Sequence, residues 1–183
     1  MKWKLLWGFH FSFQKNIRGQ KGVIYPGKHY FMSVILWLLL FAFQTSPDAR
    51  KEFLLEVNAI RMQGCQCGKE YYAPVQPVIW NETLEKTGFL HSRDMQSRGY
   101  FSHFSKRGKS PADRLKAQGY RYRSFAENLF AAEGYTPTTR EVVTAWKNSP
   151  SHCKNLMNST VTEMGVGVYK GYYTQLFGSR QTK

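Results

Sequence analysis

Between residues 47 and 183 the chain carries three histidines, His91, His103 and His152. His103 lies in Tyr100-Phe101-Ser102-His103-Phe104, among aromatics and just past a helix stop, where loops supply binding groups. His152 follows the Ser149-Pro150-Ser151 break, at the start of a helical turn. His91 sits one place after Leu90 at a helix margin and reads as a structural histidine held by hydrogen bonds. Glu127, in Phe125-Ala126-Glu127-Asn128-Leu129, is an acid inside an otherwise apolar run. A carboxylate there must be paired, hydrogen-bonded or at a cleft, because burying it alone costs several kcal/mol. Two neutral imidazoles can hold a divalent metal such as Zn²⁺, with water completing the coordination and a carboxylate orienting a ligand or accepting a proton. Without a metal, one histidine can serve as a base near physiological pH. Spacing alone does not bring His103, Glu127 and His152 together.

The nucleophile candidates are Ser102, Ser105, Ser151 and the cysteines, and none sits in a G-x-S-x-G elbow or a comparable signature. The three cysteines are Cys65, Cys67 and Cys153. In an oxidising compartment one disulfide is expected, joining Cys153 to either Cys65 or Cys67 and leaving one thiol over. A zinc site is the competing reading, but C-x-C with one distant cysteine lacks the usual C-x₂-C spacing. The basic run Lys106-Arg107-Gly108-Lys109, with Arg121 and Arg123 interleaved among Tyr120 and Tyr122, suits phosphates, a polyanionic envelope or simply solvent. No nucleic-acid fold motif accompanies it, so no nucleic-acid partner is expected.

The net charge of +14 over 183 residues divides unevenly. Residues 1–46 hold six Lys/Arg, no acid and eleven of the twenty-nine aromatics; residues 47–183 hold the other twenty cations and all twelve acids. Only the second composition looks like a folded domain, and it is too short for a second sizeable core. From Phe31 to Phe43 the chain reads FMSVILWLLLFAF without a charge. That is short of the roughly 20 residues of a spanning helix and within the roughly 7–15 of a secretory signal's apolar region. Residues 1–46 are therefore expected to be an export signal or short anchor, with residues 1–31 an over-extended start if Met32 begins the chain. Membrane contact is expected only through this segment, if uncleaved.

The elements that must position the chemistry follow from pattern. Asp48 to Met62 reads as a helix, with Phe53, Leu54, Val57 and Ile60 at helical spacing. Gly64 and Gly68 bracket a cysteine loop, and Pro74 and Pro77 keep the next stretch irregular. Asn81 can cap a second helix ended by Gly99. Ser110-Pro111-Ala112-Asp113 opens a third in a capping-box arrangement, stopped by Gly119. Tyr120 to Ala131 reads as a strand leading into an irregular edge. Thr136 or Thr138 starts a fourth helix, which breaks near Ser149-Pro150 and restarts through His152. Met164 to Tyr169 and Tyr172 to Phe177 read as a hairpin turning at Lys170-Gly171. Helices, an intervening strand and a closing hairpin make an α+β sandwich over 47–183.

Several short motifs occur in order: Trp80-Asn81-Glu82-Thr83-Leu84, His91-Ser92-Arg93-Asp94-Met95, Phe101-Ser102-His103, Ala126-Glu127-Asn128-Leu129, Trp146-Lys147-Asn148-Ser149-Pro150-Ser151-His152, and Met164-Gly165-Val166-Gly167-Val168. With Tyr173-Thr174-Gln175 they resemble the CAP superfamily of cysteine-rich secretory proteins, antigen 5 and pathogenesis-related proteins, above all its bacterial SCP-like branch. The resemblance runs from about Leu54 to Arg180. It implies an α-β-α sandwich with a central antiparallel sheet and a cleft lined by two histidines and two acids. The first histidine matches His103, the acid of the G/A-E-N motif matches Glu127, and the second histidine matches His152. The position of the second acid falls on Ser149, which leaves a triad with one carboxylate. His103 and His152 are the implied metal ligands, with Zn²⁺ or another divalent ion as the cofactor. The function implied is binding or structural, toward a protein, glycan or lipid of the extracellular space or cell envelope. The rivals are a metal-dependent hydrolase or peptidase using the same cleft, and lipid or sterol binding.

Overall fold

The computed structural model describes residues 45–181. The expected export signal or anchor lies outside the described residues, apart from its last two. Helix α1, Pro47–Gln63, starts where the Ser46 hydroxyl accepts from the Ala49 amide, with proline in its first turn. Strands β1 (Cys65–Cys67) and β2 (Glu70–Tyr72) follow as an antiparallel ribbon, then the two-residue β3 (Ile79–Trp80). Helix α2, Glu82–Arg98, is capped by the Asn81 carboxamide and closed by Gly99 in the left-handed region. Capping boxes start α3 (Pro111–Ala117) at Ser110 and α4 (Thr139–Asn148) at Thr138. Strand β4 is Tyr122–Ala131, helix α5 Pro150–Leu156, and the last elements are β5 (Glu163–Tyr169) and β6 (Tyr172–Arg180).

The main sheet has the order β3-β5-β6-β4, antiparallel except for the parallel β3–β5 pair. Successive side chains on β5 point to opposite faces. Met164 and Val166 face α1, α4 and α5, packing with Phe53, Val57, Val142, Val143, Trp146, Tyr173 and Phe177. Gly165 and Gly167 face α2, whose backbone lies so close that a Cβ on Gly167 would sit 1.7 Å from the Phe89 nitrogen. Leu84 of α2 and Leu115 of α3 close that side against Tyr120 and Leu176. Helices on both sides of one sheet make the expected α-β-α sandwich.

Three local readings are corrected. The cysteine loop is the β1–β2 ribbon, and the stretch after Pro77 contributes β3. Strand β4 stays paired through Ala131↔Tyr172; its irregularity is a register shift at its start, between Tyr122 and Ser124. The hairpin's second strand runs three residues past Phe177, to Arg180. Cys67 and Cys153 form the disulfide, tying the ribbon to α5, while Cys65 is a buried free thiol. Arg61, fully buried, donates to the carbonyls of Gln76, Leu156, Asn158 and Val161 and holds the end of α5 in place. Burial pulls its guanidinium down to about 10.

Candidate functional site

His103 is carried by the loop between α2 and α3. The neighbouring carbonyl of Ser102 accepts from His91 Nε2 at 2.9 Å, and the carbonyl of His103 itself accepts from Arg114 Nη1 at 2.8 Å. The loop is thus anchored from both flanking helices although it has no regular structure. Glu127 lies mid-strand on β4, where Leu176 of β6 is its cross-strand partner. Its carboxylate accepts from His103 Nδ1 at 2.8 Å through one oxygen and from Arg114 Nη2 at 2.6 Å through the other. The acid in the apolar run is therefore buried and doubly paired, with its side chain 3% exposed against 48% for His103.

This pairing sets the chemistry of His103. A carboxylate only accepts, so Nδ1 bears the proton and Nε2 presents its lone pair. His152 arrives from α5, which is laced to β4 by carboxamides. Asn155 Nδ2 donates to the Glu127 carbonyl at 3.1 Å and to Asn128 Oδ1 at 2.8 Å, and Asn128 Nδ2 reaches the His152 carbonyl at 3.2 Å. Asn128 also donates to Gln175 Oε1, its cross-strand neighbour. Burial lowers the His152 imidazole from its ordinary 6.5, and the charge of His103 lowers it further. His103 thus stands near enough for its charge to disfavour the protonated form of His152.

Ser149 closes α4 and opens α5, with its hydroxyl 3.4 Å from that of Ser151. No carboxylate stands at that position. His103, Glu127 and His152 do not bring three ligand atoms within 4.8 Å of one another; among the described residues the group that does is Cys65, Cys67 and Cys153. Two of those sulfurs are consumed by the disulfide, which disposes of the cysteine zinc site. His91, expected at a helix margin, is instead buried, and its hydrogen bond to Ser102 bears out the structural reading.

The residues that sequence reasoning missed are Arg114, Asn128 and Asn155. Asn128 stood inside a quoted motif without a role. Arg114 directly follows the Ser110–Asp113 capping box, early in α3. That box was the signal that could have found it.

The sequence model of the cysteine-rich secretory protein family, CAP, matches residues 54–178. The chain belongs to the CAP family. Its CAP domain is similar to the Bacillus subtilis protein YkwD, 39% identical over 105 residues covering 56% of this chain and 40% of YkwD. It is also similar to the Bacillus subtilis membrane protein YlbC, 40% identical over 101 residues covering 55% of this chain and 28% of YlbC. The chain thus spans well under half the length of these curated relatives. Among solved structures, an extracellular protein containing an SCP domain from Bacillus anthracis superposes with a TM-score of 0.59 at 27% identity, over 75% of this chain and 45% of that one. An outer surface protein of Borrelia burgdorferi superposes with a TM-score of 0.61 over 76% of this chain and 98% of that one; at 22% identity it speaks for the fold alone.

Proposed function

We propose that this CAP domain acts in the extracellular space or cell envelope as a binding or structural protein, and that its ligand cleft takes a divalent metal such as Zn²⁺ through His103 Nε2 and His152. The observation that carries the reading is the division of Glu127 between His103 Nδ1 and Arg114 Nη2. A carboxylate behind a half-exposed imidazole is the arrangement that fixes a metal-ligating tautomer. The donor set fits such an ion as two imidazoles with solvent completing the shell. When bound, the metal supplies a Lewis-acidic point for an oxygen of the ligand. Phe101 and Phe104 flank His103 and stay 53% and 58% exposed, a rim suited to a glycan ring, a lipid chain or an apolar side chain.

Binding is favoured over hydrolysis because both Glu127 oxygens are engaged and, among the described residues, no hydroxyl or thiol is paired with either cleft histidine. The extracellular location is that of the Bacillus anthracis protein, carried over here on the family and on the basic, apolar N-terminal segment. Among the described residues no helix is long and apolar enough to cross a membrane. The test is a calorimetric Zn²⁺ titration of the wild type beside the His103→Ala/His152→Ala variant. Saturable binding by the wild type, lost in a variant that still melts cooperatively, is expected. A wild type that takes up no Zn²⁺, or a variant that binds it equally well, overturns the metal site.

A further inference from the structure

Three sulfurs meet where the β1–β2 ribbon packs on α5: Cys65, Cys67 and Cys153 Sγ all lie within 4.8 Å of one another. Cys67 and Cys153 are joined, and the free Cys65 sulfur stands 3.3 Å from Cys153 Sγ. Cys153 is bonded and has no proton to give, so Cys65 is the donor in that contact. All three residues are buried, Cys153 completely, and Met157, Ile60, Tyr72 and Val75 pack around them. This wrapping keeps thiols of the medium away from the bond, while a thiol of the chain itself is held beside it. Neither the cleft nor the crosslink needs that third sulfur, and nothing in the roles assigned so far accounts for it.

We propose that Cys153 is the shared centre of a thiol–disulfide exchange in the folded protein, with Cys65 and Cys67 alternating as its partner. Cys65, as the thiolate, attacks Cys153 Sγ. The Cys67–Cys153 bond breaks as the Cys65–Cys153 bond forms, and Cys67 leaves as a thiolate that takes up the proton Cys65 lost. One disulfide and one thiol stand on each side of the step, so it needs no oxidant or reductant. Attack on Cys67 Sγ instead would bridge residues two apart on a strand, whose Cα atoms are roughly 6.6 Å apart, at the far end of disulfide range. Chain entropy does not choose between the two isomers. The bridged residues are 86 apart in one and 88 in the other, and the closure cost follows only the logarithm of that length. Closing 3.3 Å to the roughly 2.05 Å of a disulfide is within reach of side-chain rotation, with the ribbon left in place. The outcome is a tether with two interchangeable anchors on the ribbon. Helix α5 carries His152 and Asn155, and it keeps its crosslink when either ribbon cysteine is oxidised or blocked.

The experiment is carbon NMR of the whole protein with isotope-labelled cysteine, because the Cβ shift separates thiol from disulfide without cleavage and without a variant that must fold. At pH 8, with no added thiol, Cys65 and Cys67 are each expected in both forms, in a ratio within about ten-fold of one, given nearly equal loop lengths. Cys153 is expected in the disulfide form only. Cys65 seen wholly as thiol and Cys67 wholly as disulfide overturns the proposal. A second arm separates exchange from a mixture fixed during folding. The two isomers are resolved by chromatography in acid, refolded at pH 5, where thiolates are scarce, and brought to pH 8 once folded. Both should converge on one ratio within hours, at a rate independent of protein concentration. Isolates that keep their separate identities, or a rate that rises with concentration, overturn it. Cys65→Ser, which removes the attacking sulfur and keeps the bond, should leave Cys67 wholly in the disulfide form. Failure of the Zn²⁺ titration leaves the proposal standing, because no metal enters the step.

Discussion

Glu127 illustrates how a single residue's surroundings decide its role. An acid among apolar neighbours had to be paired or placed at a cleft, and that much follows from desolvation. That its partners are His103 and Arg114, on a loop and a helix reached only through the tertiary fold, does not. The cysteines pose the same problem. Cys65 and Cys67 alternate with the exposed Gln66 on one short strand, so both point inward at Cys153. Cys67 forms the bond, and Cys65 Sγ lies 3.3 Å from Cys153 Sγ. Cys67→Ser, refolded with oxidised glutathione, is therefore expected to yield a Cys65–Cys153 disulfide, read by peptide mapping after alkylation. Its stability should stay near wild type, while Cys153→Ser loses about 2–5 kcal/mol with the crosslink. Free Cys65 and Cys153 thiols in the folded Cys67→Ser protein would contradict this.

Elements with strong local signals were legible. The Asn81, Ser110 and Thr138 caps mark helix starts through short-range hydrogen bonds, and Lys170-Gly171, both at positive φ, marks the hairpin turn. Strands of two or three residues escaped, since β1, β2 and β3 are shorter than any periodicity can register and depend on their partners. The Gly165 and Gly167 pair shows where pattern and packing meet. Alternation identifies a strand, but only the structure shows α2 resting on those glycines. Gly167→Ala would press a methyl into the Phe89 backbone, which cannot rotate away. A loss of about 3 kcal/mol or more is expected in chemical denaturation, against a milder cost for volume-conserving changes at Val166 on the opposite face. A variant with wild-type stability would mean that α2 shifts freely on the sheet.

The whole molecule answers to pH through the buried His91 and the partly buried His152. His91 is depressed by burial and by Arg114, against the opposing pull of Glu127, the Ser102 carbonyl and Asp94. Below 6.5 the unfolded chain therefore binds protons that the folded chain refuses, and stability falls as pH drops through the window beneath that value. His152 acts in the same direction. The carboxylates lowered by hydrogen bonds, Asp113 at Ser110 and Glu141 at Thr138, lose their contribution only below their ordinary 3.8 and 4.5. Melting temperature should thus decline between pH 6.5 and pH 5, and His91→Gln, whose amide can still donate to Ser102, should flatten that slope; an unchanged slope would refute the assignment. The amino-acid sequence by itself determined the α+β class, the helix starts, the closing hairpin and the residue types at His103, Glu127 and His152, because these reside in local periodicity, capping and ordered motifs. The tertiary structure alone decided that Arg114 grips Glu127, that asparagines lace α5 to β4, and that Cys67 takes Cys153. Each of those joins residues from different elements, and their meeting depends on how helices seat on the sheet, a long-range outcome that no short window of sequence contains.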